Sequence, residues 1–292
     1  MPTARAACHA DVWRGLPCWR IALPQGDSVL LAEQGAQVLS WTAGGRERLF
    51  LSPGSAADGQ TAIRGGVPIC WPQFNQRGPL PKHGFARNLA WQKGAFFAAE
   101  DSAELRMHLA ADAHSLALWP HPFELTLLLR LSEGRLQVLL DVFNPSETDW
   151  AFTGALHSYL RVDDVRQAHL CGLGGQAEWD ALSDRTGRGA AAIALDGPFD
   201  HPFDRVYAAA SQALRLAGGA QELTVSQSPT WGHTVVWNPG AAMPDLPDDT
   251  FRHMLCVEAA QVLSPVTVAA GERWVGWQQF DVASDAVARV RQ

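Results

Sequence analysis

Between Gly59 and Ala99 the chain has no aspartate and no glutamate. The protein as a whole is acidic, with 30 Asp and Glu among 292 residues and a formal net charge of −7. At that average density a stretch of this length would carry about four carboxylates. Arg64, Arg77, Lys82, Arg87 and Lys93 all fall inside it. An acidic protein that keeps one segment purely cationic points to a site for an anionic group. Arginine suits such a site where the anion must be gripped by a forked pair of donors.

Other absences exclude whole classes. No apolar run reaches the length of a membrane span, so no membrane partner is expected. The first residues, Met-Pro-Thr-Ala-Arg-Ala-Ala-Cys-His-Ala-Asp, lack the apolar core of a secretion signal, and the expected location is cytoplasmic. The negative charge leaves no broad basic face to displace counterions, which argues against general nucleic-acid binding. Cys8, Cys18, Cys70, Cys171 and Cys256 are odd in number, scattered and without CxxC spacing. Neither a disulfide framework nor a structural zinc site is expected of them. Cys70 and Cys256 sit among apolar residues and read as small core side chains. No window has the periodicity of a long amphipathic helix. No low-complexity linker or clear repeat divides the chain, so residues 1–292 read as one domain.

What remains is strand-like. The apolar fraction is 47%, ample for a large core. Trp19–Leu23, Ser28–Leu31 and Ala36–Trp41 are short runs punctuated by Pro24, Gly26 and Gly35. Leu125, Leu127, Leu129 and Leu131 share one face. After the turn Ser132-Glu133-Gly134, Leu136, Val138, Leu140 and Val142 alternate again, which predicts a hairpin with one buried face. Further short strands are expected at Ala213–Leu216, Leu223–Ser226, Thr234–Trp237, Leu255–Ala259 and Val266–Ala269. Gly172–Gly175 and Met243–Asp249 read as surface loops. The fold class is all-β, a large antiparallel sandwich.

The cationic segment is too rich in Gly and Pro for a long helix or a long central strand. It reads as ordered turns that hold polar side chains at chosen points. Four titratable residues stand where a plain sandwich would not need them: His83, His157, Asp204 and Glu258. Glu258 shares a strand face with Cys256 and Ala260, so its carboxyl is expected to be desolvated and more basic. Each has a plainer reading as well. A histidine in an apolar strand is more often a hydrogen-bonded core residue than a catalyst. Asp204 beside Arg205 could be an exposed ion pair, Arg64 could be held by backbone carbonyls, and Arg77, Lys82 and Lys93 read as solvated charges. Trp71, Trp91 and Trp237 read as core or pocket walls, and an aromatic face also suits a sugar ring.

Sequence separation cannot join these residues, because it does not give distance in a sandwich. A resemblance joins them. Ile63-Arg-Gly-Gly-Val-Pro-Ile-Cys-Trp-Pro-Gln-Phe74 with Lys82-His-Gly-Phe-Ala-Arg-Asn88 resembles the signature of the glucose-6-phosphate 1-epimerases, hexose-6-phosphate mutarotases related to aldose 1-epimerase. Gly154-Ala-Leu-His-Ser-Tyr159, Phe203-Asp-Arg-Val-Tyr207, Val235-Val-Trp-Asn-Pro239, Asp245-Leu-Pro-Asp-Asp249 and Met254-Leu-Cys-Val-Glu-Ala-Ala260 agree in order. The resemblance implies a galactose-mutarotase-like supersandwich that interconverts hexose 6-phosphate anomers with no metal or nucleotide cofactor; a monomer is expected. It makes His157 the general acid, Glu258 the general base and His83 a second histidine on the sugar. Asp204 matches a residue bonded to ring hydroxyls, and Arg64 and Arg87 match those that hold the 6-phosphate. Asn75-Gln76-Arg77 and Gly240 depart from the family pattern at positions that bear on the pocket mouth. Two other readings remain open. One is a non-catalytic sugar-phosphate-binding or regulatory module on the same fold. The other is a metal enzyme using His83, His157 and Glu258 as ligands.

Overall fold

The computed structural model describes residues 5–194, 202–218, 222–240, 243–247 and 249–282. They form three sheets of five, nine and eight strands, and every pairing between those strands is antiparallel. The one α-helix among them, Ala113–Leu118, has six residues. No helix of the described residues is long and apolar enough to cross a membrane. All five cysteines are free, and Cys70 and Cys256 are fully buried.

The leucine-rich hairpin forms as its alternation predicts. Glu124–Ser132 pairs with Arg135–Phe143 from Ser132 opposite Arg135 outward, across a Glu133-Gly134 turn in which Gly134 has a φ of +64°. Its leucine and valine face lies in the largest apolar cluster. That cluster draws on all three sheets, with Val29 and Trp41 from the five-stranded, Leu127 and Phe280 from the nine-stranded, and Val257 and Ala259 from the eight-stranded sheet.

One expectation changes. Leu255–Ala259 and Val266–Ala269 are parts of a single 15-residue strand, Met254–Val268. Its pairing with Trp150–Leu156 jumps from Gln261 opposite Gly154 to Val266 opposite Phe152. The intervening residues form a bulge, and Pro265 sits there, where no ladder N–H is required. The polar residues and proline between the two expected runs lie in that bulge and do not end the strand. Within this strand Leu255, Val257 and Ala259 face the main core, while Cys256 and Ala260 pack into separate clusters on the other face, which Glu258 shares.

The cationic segment is built of turns, as expected, with a two-residue strand at Ile69–Cys70 and one 3-10 turn at Ala86–Asn88. Its backbone folds tightly against Trp71, whose carbonyl accepts from Phe85 N–H at 3.0 Å and Ala86 N–H at 3.2 Å. Gly84 lies between, with a φ of +70°, and a Cβ there would stand 2.1 Å from the Trp71 oxygen. Only glycine fits that position. Gly84→Ala should cost about 3 kcal/mol of stability, from left-handed strain and the backbone clash together. Gly187→Ala, where a Cβ meets nothing within 4 Å, should leave the urea midpoint within error of wild type. Urea denaturation of the two variants side by side checks this.

Candidate active site

The eight-stranded sheet sets the site by register. The strands Trp150–Leu156 and Tyr159–Arg161 both lie beside Met254–Val268. Leu156 is opposite Ala259 and Tyr159 is opposite Cys256, so His157 stands opposite Glu258. On the far side of Met254–Val268, Val235 is opposite Glu258 and Trp237 is opposite Cys256. Asp204 is in turn opposite Trp237. Two adjacent rows of side chains therefore cross the sheet, His157–Glu258–Val235 and Tyr159–Cys256–Trp237–Asp204. The turns of the cationic segment supply the remaining wall. All six residues expected from the sequence, Arg64, His83, Arg87, His157, Asp204 and Glu258, line one cleft of about 120 Å³.

His157 and Glu258 form its floor, 6% and 1% exposed. His157 Nδ1 lies 3.3 Å from Glu258 Oε1. Neither Nδ1 nor Glu258 Oε2 makes a hydrogen bond among the described residues. Burial pushes the Glu258 carboxyl well above its usual range, with the negative charge of Asp204 adding to it. Burial pushes the His157 imidazole well below its usual range, with Arg64 and Arg87 adding to that. Both groups are thus driven toward their neutral forms, the carboxyl protonated and the imidazole uncharged.

His83 is fixed by its loop. Its N–H donates to Asn75 O at 2.9 Å, and its Nδ1 accepts from Asn75 N–H at 3.2 Å. An Nδ1 used as acceptor puts the proton of the neutral ring on Nε2. Burial and the neighbouring positive groups push its basicity far down, so the ring stays neutral. It meets His157 edge to face, ring centres 5.4 Å apart.

Arg64 is held by side chains, not by backbone carbonyls. Its Nε and Nη2 each lie 2.8 Å from Asp245 Oδ2, and its Nη1 donates to the Tyr159 hydroxyl at 3.0 Å. Tyr159 stacks on His157, ring centres 4.8 Å apart and 10° from parallel. Arg87 donates from Nη2 to Lys82 O at 3.0 Å, and its buried Nε has no partner among the described residues.

Several plainer readings give way. Asp204 is not paired with Arg205, which instead reaches Glu178 at 3.3 Å and Asp180 at 2.5 Å. Asp204 faces the cleft, and burial pushes its carboxyl up to about 6 against the pull of Lys82 and Arg205. Lys82 is exposed, as its reading as a solvated charge expects, and it also lines the same cleft. Arg77 lies over the Trp179 ring at 5.0 Å and Lys93 over Trp19 at 4.5 Å. The segment read as a surface loop from Met243 onward places Met243 in the cleft wall, Asp245 on Arg64 and Leu246 in full burial. Trp71 and Trp91 are core, whereas Trp237 is a cleft wall. Tyr159 could have been found from sequence, since it lies two residues from His157 on the same strand face. Asp245 carried no such signal.

One group of potential metal ligands occurs among the described residues. His157, Cys256 and Glu258 offer three donor atoms within 4.8 Å of one another. His83 is not part of it, contrary to the ligand set considered from sequence, and its Nδ1 is already engaged.

The family model described as aldose 1-epimerase matches residues 17–281. A Salmonella typhimurium protein bearing the name "Putative glucose-6-phosphate 1-epimerase" is 35% identical over 245 residues, covering 80% of each chain. A Cenchrus ciliaris protein of the same name is 34% identical over 264 residues, covering 83% of this chain and 77% of its own. A crystal structure described as that of "a putative mutarotase" from Salmonella typhimurium superposes with a TM-score of 0.86 at 28% identity, covering 95% of this chain and 94% of that one.

Asp204 generates a stability prediction. Its carboxyl is raised from 3.8 to about 6, so the native state binds the proton more tightly than the unfolded chain does. The stabilisation from that proton is fully present below about pH 4 and is lost as pH rises through about 6. Asp204→Asn removes the cost of ionisation. Discounted for partial exposure, the variant should gain about 1 kcal/mol at pH 8 and nothing at pH 4. Melting temperatures of both proteins across that range test it.

Proposed function

The chain belongs to the aldose 1-epimerase family, which exchanges sugar anomers, and on that premise we propose that its substrates are hexose 6-phosphates, glucose 6-phosphate foremost. The observation that carries this reading is the composition of one cleft. A carboxyl and an imidazole share its floor, and Arg64, Arg87 and Lys82 stand in its wall. The names borne by the relatives agree with a 6-phosphate.

Anomer exchange needs the C1 hydroxyl proton removed and a proton delivered to the ring oxygen, which breaks the bond between C1 and that oxygen. Ionised Glu258 takes the first proton and protonated His157 gives the second. The open-chain aldehyde turns about C1–C2, and the same two groups, now with exchanged roles, close the ring on the other face. His83 donates its Nε2–H to a sugar oxygen, Asp204 accepts from ring hydroxyls, and Trp237 offers an apolar face to the ring.

The protein's own groups favour the neutral arrangement of the pair, with the proton on Glu258. A phosphate dianion against Arg64, Arg87 and Lys82 offsets the positive field that disfavours a charged His157. The phosphate then has two effects. It orients the ring through contacts remote from the reacting carbon, and it shifts the shared proton to the histidine that must donate it. The core shared by all three sheets supports reading residues 1–292 as one domain, and the five free thiols suit a reducing, cytoplasmic setting.

Glu258→Gln should slow enzyme-dependent anomer exchange by about a thousandfold, measured by NMR, while the fold persists. Near-normal exchange would remove the proposed base. Arg87→Ala should raise the KM for glucose 6-phosphate by about 10- to 100-fold and leave that for free glucose unchanged. Equal losses on both sugars would reject the phosphate assignment.

A further inference from the structure

The strand that carries His157 breaks at the residue after it. In an unbroken ladder, Ser158 and Val257 stand opposite each other and exchange two backbone hydrogen bonds. One is present, with Val257 N–H donating to Ser158 O at 3.1 Å. The other is missing, because Ser158 N–H turns back to Leu156 O at 3.0 Å. That turn lets His157 N–H reach Pro68 O at 2.9 Å in the cationic segment. It also leaves Val257 O, one residue from Glu258, without its ladder donor.

The missing donor comes from the opposite sheet. Gln278 lies on Arg273–Val282 in the nine-stranded sheet and is fully buried. Its Nε2 donates to Val257 O at 2.9 Å, and its Oε1 accepts from the Ser158 hydroxyl at 2.6 Å. Ser158 is fully buried too. The other inward residues of that strand, Trp274, Gly276, Phe280 and Val282, carry no buried polar side chain of this kind, and its cross-strand neighbours are Val138 and Gln227. A core that needed only filling would be served by leucine or methionine, because a buried amide is costly unless its bonds are made. Here both ends are bonded, one to the neighbour of His157 and the other to the neighbour of Glu258.

We propose that Gln278, acting through Ser158 and Val257, is a positioning residue that sets the separation of His157 from Glu258. It touches neither the cleft nor a substrate. It works from behind the sheet, closing a ring of three hydrogen bonds across the break, so that the strand can kink without the two reacting side chains drifting apart. The proposal rests on the reading of that pair as acid and base. A displacement of well under an ångström between two groups that must trade protons is costly, so the effect belongs to kcat and not to substrate affinity.

The test compares Gln278→Met, Gln278→Glu and Ser158→Ala in the full chain, with glucose 6-phosphate exchange followed by NMR across pH. Gln278→Met keeps the length and removes both bonds. Its kcat should fall about 10- to 100-fold, its KM should stay within about twofold, and its kcat–pH profile should move. Gln278→Glu, protonated in the core, can still accept from Ser158 and donate to Val257 O, and should recover most of kcat and the wild-type profile. Ser158→Ala deletes one bond of the ring and should give a smaller loss with a profile displaced in the same sense. It also serves if Gln278→Met does not fold. A folded Gln278→Met with wild-type kcat and profile overturns the proposal. A loss of stability with kcat unmoved, or with no rescue by glutamate, assigns Gln278 to packing alone and also overturns it. If Glu258→Gln remains active, the acid–base reading itself fails; if it is inactive while Gln278→Met is normal, only the positioning role falls.

Discussion

Two titratable side chains on neighbouring strands share a buried place that neither could occupy charged and alone. His157 and Glu258 are 3.3 Å apart, one 6% and the other 1% exposed. Isolated charges in such surroundings would carry a desolvation cost of several kcal/mol each. Burial therefore drives the pair toward its neutral arrangement, with the carboxyl protonated and the imidazole uncharged. That constraint shapes everything near the pair. The cations stand in the cleft wall and not against the carboxylate, the second histidine is held neutral by its loop, and the reverse side of the strand is apolar core.

The fold divides the work between two kinds of backbone. The sheet fixes the chemistry, because antiparallel register places His157 opposite Glu258, and Asp204 opposite Trp237 one row away. A turn-rich segment brings Arg64, Lys82 and Arg87 to the cleft wall, since turns can aim side chains where a strand cannot. The two meet at Trp71, whose carbonyl pins Phe85 and Ala86, and at Pro68, whose carbonyl takes the N–H of His157. Tyr159 joins them through side chains, since it stacks on His157 and bonds Arg64. Arg64, proposed to face the phosphate, and His157, proposed as the proton donor, are thus linked through one aromatic ring.

Much of this is legible in the order of the residues. The leucine hairpin follows from strict alternation, the cationic cleft wall from a stretch without carboxylates, and the desolvation of Glu258 from its flanking Cys256 and Ala260. The convergence of His157 with Glu258 is not, because antiparallel pairing joins residues a hundred positions apart and leaves no local trace. Resemblance to a family supplied that step. Features that depend on a distant partner were missed. Asp245 looked like part of a surface loop because nothing nearby announces Arg64. For Asp204 it is only the plainer alternative, an ion pair with Arg205, that fails, since adjacent residues on a strand point to opposite faces. Met254–Val268 reads as two strands because a bulge cannot be seen before its partner strand is known. The bonds of Gln278 to Ser158 and Val257 likewise join it to a strand of the opposite sheet that nothing local announces.

The central claim is that a carboxyl and an imidazole exchange protons with a sugar whose phosphate is held beside them. The most direct test is two-dimensional exchange NMR on an equilibrium mixture of α- and β-glucose 6-phosphate, titrated with catalytic amounts of the wild-type protein. Cross-peaks between the two anomeric protons should build up at a rate that rises in proportion to protein concentration, and far less so for free glucose. Exchange that stays at the buffer rate while the sugar phosphate still binds would contradict the account and leave a binding module in its place.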